Sequence, residues 1–553
     1  MADQKIKYPG LEQNLPYGNE LRDYLSTKEE TGIDVVALTS KKVKFREKMD
    51  RYPRTLLVMP PITLSEGTVK RVIPPLGLCY IGGYLESVGI PFDILDCVAE
   101  GLETERLIGE RIWMYGLTDD VIREHFVKFR PEIIGISIIY SSDLHSMYRL
   151  ARLAKEVNPD VVVIVGGIHS SIYPREVLEQ SHPSIDYVIR GEGEIRLAEF
   201  IENFKEGYLD LSGDGTCGWY EGNMFINPQI KTIENLDAMP LPAYHRLPME
   251  NYFAFNVPFS PFPRGERVMQ IYTSRGCPIG CTFCASTNFN KAFRMRSPEA
   301  VFKEIMYYKE KYQIDEFQFA DDNFTFNRKR AMDMFDRLKE CGLPWCTPNG
   351  TMVNTLTEDM MQKMIDSGLY QVTLSLDSGS AKTLKEQHRK PVNLQRVPDL
   401  TAYLKKREVL IHATLVVGMP GETLADIEEG YAFVDGLPLD SIAVFIAQAL
   451  PGSELFERAV QDGLISRTMG QFFDNSKSTH TLSGIETAVL EKNVSDFLFK
   501  YNELIKKRDP LSWEKKYSKH RDRFSKICIG KAAPNTDGVI RASQPTPMEN
   551  YSY

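Results

Sequence analysis

From Arg54 onward the chain alternates short apolar runs with amphipathic stretches. Thr55–Met59 (TLLVM) is an apolar run that stops at Pro60-Pro61, Gly77–Val88 has helical spacing, and Phe92–Leu95 (FDIL) is apolar again. Residues 119–129 read as a helix and Ile133–Ile139 as a buried strand. Leu144–Val157 reads as a helix, Val161–Val165 as a strand stopped by Gly166-Gly167, and Tyr187–Ile189 as a further strand. Continuous β-branched runs separated by amphipathic helices predict a parallel, doubly wound sheet buried on both faces. Such sheets take ligands outside the carboxyl ends of their strands. Residues 54–205 are therefore read as one nucleotide-like or cofactor-binding domain.

The pattern breaks at 206–260, which is rich in Gly, Pro and Asn and reads as a linker with one small hairpin turning at Glu221-Gly222-Asn223. A second series then starts. Val268–Thr273, Phe317–Ala320, Gln371–Leu376, His412–Val417 and Ser441–Ala449 read as strands, with a helix at Pro298–Tyr312 and helical stretches after the others. Five or six βα units without dinucleotide-type glycine spacing predict a partial TIM-type (β/α)6 barrel over 261–470. Residues 471–530 read as a helical region and 531–553 as a disordered polar tail. Residues 1–53, ending in the charged run Lys41, Lys42, Lys44, Arg46 and Lys48, read as a solvated N-terminal extension. The fold class is α/β: a doubly wound Rossmann-like domain, a barrel and a helical C-terminal segment.

Composition narrows the function. With 66 Lys plus Arg against 75 Asp plus Glu, the net charge of −9 argues against a general nucleic-acid partner. No apolar run approaches the roughly 18 residues a membrane span needs, and the amino terminus lacks an apolar leader, so no membrane partner and a cytoplasmic location are expected. The nine cysteines are odd in number, which argues against a disulfide framework. Three of them form the spacing C-x3-C-x2-C: Cys277, Cys281 and Cys284, on a Gly/Pro-containing loop directly after a predicted strand. Three thiolates on such a loop can converge on one face of an iron–sulfur cluster and leave one iron open. A zinc site completed by a distant residue, or three unrelated buried thiols, are the alternatives.

Cysteines at this spacing with an aromatic residue before the third, here Phe283, resemble the signature of radical S-adenosylmethionine (SAM) enzymes. Other strand ends are similar too. Asp321 and Asp322, in ADDN, match the segment that contacts the SAM amino group; Ser375 and Asp377 match the strand end near the ribose; Val417 and Gly418, in VGMPGE, match the glycine-rich strand end beside the adenine. The resemblance implies a 4Fe–4S cluster whose open iron chelates SAM and which, when reduced, cleaves it to a 5′-deoxyadenosyl radical. Taken without it, Asp321 and Asp322 would read as an acidic pair at a helix N-terminus.

A doubly wound domain ahead of such a barrel resembles the cobalamin-dependent class. Cobalamin domains of the methionine-synthase type carry D-x-H-x-x-G after a strand. Here Asp96-Cys97-Val98-Ala99-Glu100-Gly101 keeps the Asp and Gly but has Val98 in the His position. An aliphatic side chain cannot ligate cobalt, so the lower face of cobalamin is expected to receive no His from this loop. Pro75 and Leu76, Ser137 with Tyr140, Gly166, Gly167 and His169, and Gly191 and Glu192 also match the class, all at strand-to-helix turns. A structural flavodoxin-like domain without a ligand is the alternative. The segment from Asp96 to Ser137 resembles the phosphonate C-methyltransferases of fosfomycin biosynthesis.

The resemblance implies methyl transfer to an unactivated carbon of a small-molecule substrate in antibiotic biosynthesis, a phosphonate being the candidate class, with an electron donor such as flavodoxin or ferredoxin. A ring-forming or rearranging cobalamin enzyme and a non-catalytic iron–sulfur scaffold or electron carrier are the alternatives. No general acid or base is identified, and Trp513, Tyr517 and Arg521 fit packing as well as binding.

Overall fold

The computed structural model describes residues 42–510, other than 67, 69, 110, 111, 230, 257, 261, 290, 291 and 467–481. Residues 1–41 of the N-terminal extension, the tail 531–553, and Trp513, Tyr517 and Arg521 lie outside the described residues.

The first domain is built on a seven-stranded sheet. Its parallel strands Thr55–Met59, Phe92–Asp96, Ile133–Ser137, Val162–Gly166 and Tyr187–Ile189 lie in the spatial order 2-1-3-4-5. The chain reverses direction across the sheet between Thr55–Met59 and Ile133–Ser137. In this flavodoxin-like order that reversal is where the ligand crevice forms. The predicted helices appear at Leu76–Ser87, Asp119–Phe129 and Leu144–Val157. Their apolar faces cover the sheet, with Leu150, Ala151 and Ala154 packed near Ile134, Ile136 and Val163.

Two boundaries differ from expectation. The hairpin Thr216–Tyr220 and Asn223–Ile226 is not part of a linker, because Thr216–Gly218 pairs antiparallel with Tyr187–Ile189 and extends the first sheet. Lys42–Lys44 is not a solvated run either. It pairs with Tyr208–Asp210, and Phe45 then packs on Phe204 at 5.4 Å. Alternating lysines read as solvated, but a two-stranded edge ribbon leaves such side chains in water while pairing their backbone.

The second domain is a six-stranded, all-parallel sheet in sequential order: Val268–Ile271, Glu316–Phe319, Trp345–Thr351, Leu369–Asp377, Leu410–Val417 and Ser441–Ile446. Helices Pro298–Tyr312, Arg328–Cys341, Glu358–Asp366, Val397–Lys405 and Leu424–Asp435 follow its strands. Helix Thr487–Arg508 closes the last strand, stacking Phe497 on Tyr431 at 3.7 Å. The connector between the domains is packed rather than loose. Tyr244, Leu247, Met249, Tyr252 and Phe253 are buried in one apolar core that runs from the first sheet into the barrel. Among the described residues no helix is long and apolar enough to cross a membrane.

Candidate active site between the two sheets

The cysteine loop leaves the barrel through a short ribbon in which Ser274–Arg275 pairs with Arg294–Met295. Cys277, Cys281 and Cys284 are half-buried within the excursion, whereas Cys79, Cys97, Cys217, Cys341 and Cys346 are fully buried. Burial pushes the Cys277 thiol up and the Cys281 thiol up to about 12, and each of these thiols lies in the electrostatic field of Cys284. Thiols whose pKa burial has raised need a strongly positive partner to become thiolates. Among the described residues no three His, Cys, Asp or Glu side chains converge tightly enough for a single ion.

The loop is positioned by a residue the motif treats as variable. Thr282 is buried; its N–H and hydroxyl donate to the carbonyls of His388 and Gln387 at 3.2 and 2.7 Å, and its carbonyl accepts from Leu455 N–H at 2.9 Å. Phe283 packs edge-on against His388 with centroids 5.3 Å apart.

The expected SAM contacts divide. Asp321 is 2 % exposed, and its carboxylate accepts from Thr273 N–H, from Thr273 Oγ1 at 2.7 Å and from the Ser274 hydroxyl. In this arrangement it braces the strand that carries the cysteine loop. Asp322 is exposed, and burial followed by the charge of Asp321 raises its pKa. Asp377 sits at φ +60°, an uncommon backbone for a non-glycine residue, and pairs with Lys390 at 2.5 Å. Although burial opposes its charge, Lys390 is held protonated by Asp377 and by Cys281 and Cys277. No motif pointed to this cation. Ser375 is half-buried one strand from Gly350, where an added Cβ would lie 1.9 Å from its hydroxyl. Val417 ends its strand, and Gly418 N–H donates to Glu422 at 2.6 Å.

At the first sheet the predicted residues gather around the reversal point. Ser137 lies in register with Gly166. Gly167 has φ +103°, and a Cβ there would lie 1.8 Å from the Ile138 carbonyl oxygen, so only glycine fits. Ile139 and Tyr140 are 49 % and 59 % exposed. His169 is buried; its Nδ1 lies 2.7 Å from Ser141 Oγ and its Nε2 has no partner. Asp143 Oδ1 and Ser146 Oγ are also buried and unpartnered. Burial lowers His169 to about 4, so its ring is neutral at physiological pH, and raises Asp143 to about 7, so its carboxyl titrates near that pH. Unpartnered buried polar atoms beside exposed apolar side chains fit a large amide-bearing cofactor such as cobalamin, which would satisfy both. Val98 is buried, and its N–H and that of Ala99 donate to Asp96 Oδ1. Asp96 Oδ2 accepts from Tyr252 of the connector at 2.5 Å. Pro75 caps helix Leu76–Ser87, placing Leu76 in its first turn.

Glu192 does not stand open to a cofactor. Its carboxylate takes Arg275 and Arg294 at 2.8 Å each and the Ile233 N–H at 2.7 Å, while Glu194 takes Arg275 at 2.7 Å. Both strands of the ribbon beneath the cysteine loop are thus bolted to the first domain. Gly191 donates its N–H to Ser171 at 2.9 Å beside this joint. On the other side Tyr173 accepts from Gly452 N–H at 2.8 Å and packs on Phe456. The two carboxyl edges therefore face each other. Between them a line of groups influence their neighbours in turn: Arg71 acts on Tyr140, Tyr140 on Tyr272, Asp322 on Tyr272, and Asp322 on Cys277.

A flavodoxin-order sheet with an amide-ready shelf, turned toward a three-cysteine barrel loop, defines a cobalamin-dependent radical SAM enzyme. The B12 binding domain matches residues 65–201 and the Radical SAM superfamily residues 271–434. The chain is 34% identical over 446 residues to the cytidylyl-2-hydroxyethylphosphonate methyltransferase of Streptomyces wedmorensis, covering 75% of this chain and 83% of that protein. It is 33% identical to an uncharacterized methyltransferase of Pyrococcus horikoshii, over 74% and 84% of the two chains. Its fold resembles that of the radical SAM methyltransferase TsrM from Kitasatospora setae with cobalamin and a 4Fe–4S cluster bound (TM-score 0.59, 16% identity, 74% and 75% covered). The chain belongs to this family of cobalamin-dependent radical SAM enzymes, whose cofactors are a 4Fe–4S cluster, SAM and cobalamin.

Proposed function

We propose that the protein is a C-methyltransferase that places a methyl group on an unactivated carbon of a small molecule. The observation that carries this reading is the pairing of Glu192 and Glu194, at the edge of the first sheet, with Arg275 and Arg294 beside the cysteine loop, which brings the two cofactor edges together. When bound, the cluster with SAM supplies one-electron chemistry that removes a hydrogen atom from carbon, and cobalamin supplies the methyl group. Cys277, Cys281 and Cys284 would hold the cluster, with Lys390 balancing their charge. Asp322 faces the cleft where a cationic amino group would be bound, and Asp377, Ser375, Val417 and Gly418 line the neighbouring strand ends. Ser137, Tyr140, Gly167 and His169 form the opposite shelf, and Val98 keeps an imidazole from beneath it. The Glu192–Arg275 joint holds the walls in fixed relation, as transfer between groups about 3–3.5 Å apart demands.

The 34% relative is named for a cytidylylated phosphonate, and a phosphonate is the substrate class we propose first. A low-potential donor of the flavodoxin or ferredoxin type would reduce the cluster. The acidic chain argues against a nucleic-acid partner, and free thiols throughout the described residues favour the cytoplasm.

Anaerobically reconstituted protein, given reductant, SAM and cytidylyl-2-hydroxyethylphosphonate, should form 5′-deoxyadenosine, S-adenosylhomocysteine and a product heavier by one methylene. Formation of 5′-deoxyadenosine with product of unchanged mass would move the reading to ring formation or rearrangement. No SAM cleavage at all would overturn it.

A further inference from the structure

We propose that Arg71 is the specificity residue of the cleft and binds an oxyanionic group, phosphonyl or phosphoryl, on the substrate. Arg71 lies in the segment between strand Ile62–Ser65 and helix Leu76–Ser87, beside the reversal point of the first sheet. Its backbone is clamped. Tyr115, 1 % exposed, accepts from Arg71 N–H at 3.3 Å and donates to its carbonyl at 2.9 Å. The guanidinium reaches toward the barrel, donating to the Pro258 carbonyl at 3.1 Å and lying 5.5 Å over the Phe259 ring.

An exposed arginine is ordinarily a solvated surface cation. This one is accessible to solvent, yet its guanidinium lies against the Pro258 carbonyl and the Phe259 ring, and burial lowers its pKa. Tyr140, 59 % exposed and raised chiefly by burial, has the same character. Cations nearby are paired: Lys70 to Glu105 at 2.5 Å, Arg106 to Asp119, and Arg275 to Glu192 and Glu194. Among the described residues Arg71 makes no ion pair, and only the phenols of Tyr140 and Tyr115 favour its charge. A partly desolvated cation with no anion is costly unless one is supplied. A planar five-donor fork suits a phosphonate or phosphate bidentately. Its contacts with Pro258 and Phe259 hold the fork beside the loop whose Ser260 bonds Gln318 and Gln371 of the barrel.

This rests on the methyltransferase reading, and the test separates the two. Wild type, Arg71→Met and Arg71→Lys are loaded with cluster and cobalamin. Without reductant, binding of cytidylyl-2-hydroxyethylphosphonate is measured by calorimetry, with methylphosphonate as competitor and an uncharged diester as control. The expected result is binding weakened about 10- to 100-fold in Arg71→Met, partly restored in Arg71→Lys, with methylphosphonate competing only where the cation remains. Both variants should retain cobalamin as wild type does. Unchanged affinity in Arg71→Met, or wild-type preference for the uncharged diester, overturns the assignment. Loss of cobalamin from Arg71→Met also overturns it, because the anion recognised would then be the cofactor's own phosphodiester. Wild-type SAM cleavage, measured in the same preparation, reports on the underlying reading alone.

Discussion

The carboxyl edges of the two parallel sheets hold their acids differently, although buried unpartnered atoms occur at both, Asn323 Oδ1, His388 Nδ1 and Nε2 and Glu422 Oε1 among them in the barrel. In the barrel the acids are engaged before any cofactor arrives: Asp321 with Thr273 and Ser274, Asp377 with Lys390, and Glu422 with the N–H groups of Gly418 and Met419. In the first domain His169 Nε2, Asp143 Oδ1 and Ser146 Oγ are buried without partners, and Ile139 and Tyr140 stand exposed. The difference follows from the guests. SAM is small and anchored at a metal, so its site consists of preset loops. Cobalamin is broad and amide-rich, so its site is a shelf whose polar atoms are completed by the guest.

The strongest way to break this comparison is to remove a thiol. Cys277→Ala, Cys281→Ala and Cys284→Ala should each bring 5′-deoxyadenosine formation to background, because a three-thiolate cluster loses an anchor. Cobalamin retention and circular dichroism should stay at the parent level. Full 5′-deoxyadenosine production by any of the three would end the cluster assignment.

The next effect concerns the joint that makes two edges into one cleft. Glu192→Gln leaves Arg275 and Arg294 buried with one charge fewer to balance them, a change expected to cost about 3–5 kcal/mol. Burial pushes the Glu192 carboxyl up, but Arg294 and Arg275 prevail and hold it below the usual range. A carboxyl whose pKa is lower folded than unfolded stabilises above its unfolded value, near 4.5, and that contribution is lost as pH falls through the folded pKa. Amide exchange in peptides covering 190–196 and 273–296, taken relative to the intrinsic exchange rate at each pH, should therefore quicken below about pH 4.5 in wild type. In Glu192→Gln it should be quick already at pH 7. Equal protection in both at pH 7 would mean the joint is dispensable.

Much of this architecture was legible in the chain, for physical reasons visible in single elements. Helices 119–129, 144–157 and 298–312 show a 3.6-residue apolar period and occur at those residues. The strand Trp345–Thr351 (WCTPNGT) was missed because Pro348 and Gly350 interrupt it; its ladder to the next strand shifts register between Thr347 and Thr351. The cysteines were legible because a cluster dictates local spacing. Arg71, Lys390, Thr282 and the Glu192–Arg275 joint were not, since their meaning comes from partners far away in sequence. Asp321 and Asp322 looked equivalent, and only the fold separates them.

That separation gives a smaller, two-sided effect. Asp321→Ala strands the donors of Thr273 and Ser274 in a buried site and should cost about 2–3 kcal/mol, read as a lower urea midpoint. Asp322→Asn should leave the midpoint in place and weaken SAM binding about tenfold, read by equilibrium dialysis. If both variants lose stability alike, the two acids do not divide between bracing and binding.

The smallest effect tests whether the first sheet is a shelf or a ligating site. Val98 stands where the D-x-H-x-x-G pattern would place histidine, and it cannot bind cobalt. His169 is the imidazole at this edge with a free buried nitrogen: Ser141 holds Nδ1, and burial keeps the ring neutral down to about pH 4. A neutral, oriented ring suits a hydrogen bond to a cofactor amide. Losing one such bond costs about 0.5–1.5 kcal/mol, so His169→Ala should loosen cobalamin only about 2- to 10-fold. The Co(II) spectrum should be the same in His169→Ala as in wild type, and 15N-labelled histidine should leave its hyperfine pattern unaltered. Were labelling to change that pattern, and His169→Ala to abolish the change, the free nitrogen would be a cobalt ligand. Both edges would then anchor their cofactors through a metal, and the contrast between shelf and preset loop would disappear.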